Sequence, residues 1–85
     1  AVHCAASDAS ITAYATRLAE DIDAAIEKHG IADGVTAISL AYHVQAVLQG
    51  AFVIAKAKGD AAAARDSVVH LKRYVTMLFG RGEKP

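Results

Sequence analysis

Eighty-five residues with nine basic and nine acidic side chains make one small domain without net charge, which argues against the basic stripe that grips DNA or RNA. The lone Cys4 excludes a disulfide framework and a cysteine-rich zinc site, and fits a reducing cytosol. Hydrophobic residues form 54% of the chain, above the usual ~45–50%, and at this length a single core is only marginally self-sufficient.

The chain opens on Ala1 rather than Met, so a fragment or a processed product is expected. "AVHCAASDAS" has neither the basic start nor the apolar core of a signal peptide. "AVHCAASD" reads as a short lead, with Ser7 or Asp8 placed to cap a helix over about 8–29. Ile11, Ala15, Leu18, Ile22, Ala25 and His29 recur at steps of four and three, and Tyr14 and Ile26 widen that stripe. Arg17, Glu20, Asp21, Glu27 and Lys28 lie off it, so the helix has one dry face and one wet face. Gly30 is its natural stop.

"IADGV" connects, with Asp33-Gly34 as the turn signal. A second helix is predicted over about 35–58, roughly 35 Å long, with Gly59 ending it. Its stretch Thr36–Ala55 contains no Asp, Glu, Lys or Arg and has the length of a bilayer span. Thr36, Ser39, His43, Gln45 and Gln49 are spread along it, which favours a doubly buried helix of a cytoplasmic protein, with no membrane partner. Asp60 serves as N-cap for a third helix over about 61–79. Ala61, Ala64, Val68, Leu71, Val75 and Leu78 form a strict three-four seam. Gly80 closes the helix, and "RGEKP" is a polar tail. No run alternates with period two, so the fold class is all-α, a three-helix antiparallel segment.

Helix two carries more apolar surface than its neighbours can cover. One flank suffices for helices one and three, and Val47, Leu48, Phe52 and Ile54 remain over. Gly50 in mid-helix costs about 1 kcal/mol relative to alanine. With Ala46 four residues before it and Ala57 seven after, it forms a strip of small residues where another helix can come close. The expected remedy is a homodimer, two hairpins about a twofold axis with the last two helices forming a four-helix-bundle interface. The structural alternative is that helix two is the central helix of a larger domain.

Few residues invite chemistry. Tyr42 and His43 could place polar groups in an apolar effector pocket, or His43 could be a core or interface histidine bonded to a backbone carbonyl. Gln49 could bond across the dimer axis or to a ligand. Asp66 and His70, four apart, share a helix face, but no nucleophile accompanies them, and a surface pair is the plainer account. His3 and Cys4 are two metal-ligand types without a second pair. Lys72 and Arg73 beside Tyr74 are too few charges for a phosphate grip, and no glycine-rich phosphate loop exists. Neither an enzyme, a cofactor nor a metal is expected.

"QAVLQGAFVIAKAKGDAAAARDSVVHLKRYVTMLFG", Gln45 to Gly80, resembles the closing segment of TetR-family transcriptional repressors. The likeness is a long helix with Gln-Gly, small and apolar residues and Ala-Lys, a Gly-Asp turn, and a last helix like "ARDSVVHLKRYVTMLF". Ile11 to Gly34 is compatible with the preceding helix. The resemblance implies a homodimer that senses a small apolar effector and dimerises through its last two helices. It makes Gln49, Gly50, Val53, Ala57, Val68, Leu71 and Val75 dimer contacts, joining Ala46 and Ile54. It also implies an N-terminal helix-turn-helix that binds operator DNA, and nothing in these residues looks like one. By this likeness the chain is the C-terminal regulatory domain, unable to bind an operator alone. The other expectation is a ligand-free helical oligomerisation domain, and a cavity near Tyr42 and His43 separates the two.

Overall fold

A computed structural model describes residues 2–31 and 34–82, and the side chains of 8–31 and 34–80. It holds three helices, α1 Val2–His29, α2 Ala37–Lys58 and α3 Ala62–Gly82, and no strand among the described residues. α2 lies in the middle. α1 and α3 pack on different flanks of it and barely touch each other, giving a thin body of 45 × 31 × 17 Å.

Local chemistry sets the ends of the elements. Gly30, at φ 76°, closes α1 and donates its N–H to the Ile26 carbonyl at 2.8 Å. The hydroxyl of Thr36 caps α2 by accepting the Ser39 N–H at 3.3 Å, and Gly59 ends that helix in the left-handed region at φ 66°. The Asp60 carboxylate accepts the Ala62 N–H at 3.0 Å, satisfying one orphan donor of α3. Gly34 has φ 86°, as a turn glycine should, while Asp33 lies outside the described residues.

Two boundaries differ most from expectation. α1 begins at Val2, not near residue 8, because Ala5 and Ala6 are strong helix formers that carry the helix back past Ser7 and Asp8. α3 passes through Gly80 to Gly82. Gly80 is not among the glycines with positive φ, so it continues the helix instead of capping it.

The core is built largely from alanine. Ala15 and Ala19 of α1 meet Ala37 and Ala41 of α2, with Leu18, Ile22 and Ile26 packed around them. Without longer side chains between them, the two backbones can approach closely. Leu40, Ala51 and Leu78 are the other buried apolar residues, and no large side chain is fully buried among the described residues. The accessible surface is 6189 Å², where a compact monomer of this mass presents about 4,800 Å². The chain keeps about 1,400 Å² more in water than its size requires.

Candidate functional site

Of the large apolar side chains left exposed among the described residues, more stand on α2 than on either neighbour. A residue on an α-helix sits about 100° from the next, so Ala37, Ala41 and Gln45 form one line, and these three are buried. The flank away from α1 and α3 carries Tyr42, Ala46, Gly50, Val53 and Ala57, all exposed, and Gln49, also exposed, stands at its edge on the side of α1. Val53 is 62% exposed, and Phe52 63%. Ile38, Leu48 and Ile54 add further exposed apolar surface on the same helix. Lys56 holds its Nζ 5.7 Å from the centre of the Phe52 ring, covering part of that aromatic face.

Gly50 sits in this strip. A Cβ placed there meets nothing within 4 Å, so close packing inside the chain does not explain the glycine. Val68, Leu71 and Val75 are placed differently from the α2 residues. They are half-buried, on the apolar seam by which α3 packs within its own chain, since α2 is almost its only neighbour. On the outside of α3, Val69 and Met77 stay exposed and line a shallow hollow with Lys72, Arg73 and Thr76.

His43 and Tyr42 part company. The His43 ring meets Tyr74 edge to face, with centroids 5.5 Å apart and planes at 70°. Together with Val47, Ser67, His70 and Leu71 these rings line an open groove of about 320 Å³ between α2 and α3. Tyr42 does not line it, because adjacent residues on a helix face different ways. Asp66 and His70 are both exposed, and no hydrogen bond joins them. Among the described residues no three His, Cys, Asp or Glu side chains gather as a metal site. The side chains of His3 and Cys4 lie outside the described ones.

A second groove, between α1 and α2, was not legible as a site in the sequence. Ser10, Ile11, Tyr14, Gln45, Leu48 and Gln49 line about 320 Å³. Gln45 is the one buried polar residue among the described residues, at 7% exposure, and its Nε2 donates to the Ile11 carbonyl at 2.9 Å. The available signal was its spacing: Gln45 falls four residues after Ala41 and eight after Ala37, on the line that meets α1.

α2 is also the one helix among the described residues long and apolar enough to cross a membrane, and 28% of its most apolar stretch is buried. Comparison with known protein families, with curated proteins and with solved structures gives no match.

Proposed function

We propose that this chain is a homodimerisation module, the closing, effector-sensing part of a TetR-like regulator. The observation that carries the reading is the surface of 6189 Å², about 1,400 Å² above that of a compact monomer. A stable interface takes about 800 Å² from each partner, so the surplus is large enough for one. The exposed apolar side chains are most numerous on α2, whose open flank is interrupted by a glycine with empty space around it. A helix of a second copy, laid along Ala46, Gly50 and Ala57 with Val53 and Ile54 at its sides, would bury that flank. In a symmetric pair the same patch serves both copies.

The effector half of the reading draws on the two grooves beside α2, each large enough for a small molecule. A ligand bound more tightly by one packing of the helices would shift the pair toward that packing. A connected DNA-binding unit would sense the shift, and the chain by itself binds no operator. If neither groove takes a ligand, a ligand-free oligomerisation domain remains. A bilayer is the other apolar surroundings that α2 would suit by length. Its exposed Ser39, His43 and Gln49 favour a protein partner over lipid.

Light scattering on a size-exclusion column tests the dimer, at two concentrations and with reductant so that Cys4 forms no bridge. A species of twice 8.8 kDa that survives dilution supports the reading. A folded monomer at both concentrations overturns it.

A further inference from the structure

We propose that the cleft between α1 and α2 around Gln45 binds a small uncharged molecule with an apolar body and a hydrogen-bond donor. The inference rests on the effector-sensing part of the reading above and names its site and ligand class. Gln45 is 7% exposed, so little of its amide is left to water. A backbone carbonyl only accepts, so the contact with Ile11 at 2.9 Å must use the Nε2 end of the amide. The Oε1 end is thereby fixed on the other side. Among the described residues no donor reaches it, and yet it is not sealed from the surface. It is an oriented acceptor in a residue that lines the cleft.

The rest of the lining sets the ligand's character. Ser10, Ile11, Tyr14, Leu48 and Gln49 are all uncharged, in a chain where 21% of residues carry charge. An ionic ligand would find no counter-charge there. Ile11 and Leu48, each 39% exposed, and Tyr14, 42% exposed, supply apolar area to the body of the ligand. Binding pockets commonly pair such walls with a few placed polar groups. The class that fits is an aromatic or alicyclic alcohol, or an N–H heterocycle.

Indole and 1-methylindole serve as probes, because they share a body and differ in the donor. Titration of the isotope-labelled chain, followed by NMR, should give saturable shifts at residues 10–14 and 45–49. Indole should bind about fivefold more tightly than 1-methylindole, the scale of one hydrogen bond. Gln45→Leu should abolish that preference, with the helical spectrum checking that it folds. Leu48→Trp keeps the Gln45 bond, fills the cleft and should weaken both probes. The inference fails if the shifts fall elsewhere or do not saturate, if the two probes bind alike, or if Gln45→Leu keeps the preference. Light scattering on the same samples reports self-association separately, and Gly50→Leu lets the titration be repeated on a monomer.

Discussion

Substitution at Gly50 separates folding from assembly, because it pushes the two in opposite directions. The residue lies in the middle of α2, it is exposed, and a Cβ there meets nothing within 4 Å. Gly50→Ala should therefore stabilise the folded monomer by about 1 kcal/mol, the difference in helix propensity. For a domain of this size that raises Tm by about 4–8 °C. Gly50→Leu gains most of the same propensity and adds a side chain to the strip. In a symmetric dimer the change enters twice. Overpacking costs about 1–3 kcal/mol at each site, so the pair should weaken by about 2–6 kcal/mol, at least roughly 30-fold in Kd. Light scattering across a dilution series, with thermal melts of the same samples at concentrations where the variant is monomeric, reads both effects. If Gly50→Leu dimerises as tightly as the parent chain, Gly50 is not at the interface and the packing argument is wrong. If the variant monomer melts well below the parent, the space around Gly50 is not as open as described.

Val53→Glu gives an independent probe of the same strip. At 62% exposure it should change monomer stability by no more than about 0.5 kcal/mol, while sedimentation shows the dimer lost. Gly59→Ala places a Cβ at φ 66° and should cost about 1–2 kcal/mol in urea melts. Thr36→Ala removes the oxygen that accepts the Ser39 N–H; the contact is long, at 3.3 Å, so the loss should sit near 0.5 kcal/mol. A double-mutant cycle with His43→Ala and Tyr74→Ala should return a coupling of about 0.5 kcal/mol, the lower end for aromatic pairs because both rings are partly in water.

The start of α2, expected at about 35, falls at Ala37 because Thr36 caps the helix instead of joining it, whereas its end was legible because Gly59 fixes it by its own local chemistry. Asp60 was legible as the opening of α3 for the same reason. The start of α1 was not, since a capping residue competes with neighbouring alanines and here Ala5 and Ala6 prevail. Gly80 misled in the same manner, as a glycine that permits a stop without enforcing one. The outward strip of α2 could be read because three helices cannot cover every side of the middle one. The seam of Val68, Leu71 and Val75 shows the limit of such reading. Periodicity reveals that a face is dry, and not whether a neighbour in the chain or a second copy dries it. Tyr42 and His43 were grouped by adjacency along the chain, whereas sharing a groove on a helix requires steps of three or four. Gln45 stood out only as a polar residue in an apolar run. Its meaning depends on the Ile11 carbonyl, 34 positions away, which no local pattern discloses.

α1 and α3 share α2 as a common wall and barely touch each other. Opening one of them need not disturb the other, so the chain should lose its structure in steps along this wall. Amide hydrogen exchange would then resolve two groups with separate opening free energies, one for α1 and one for α3. The amides of α2 would be the slowest, because they are released only when both neighbours have left. A second copy bound along the outer strip would add protection to α2 first, and the two outer helices would gain it only through their contact with the wall.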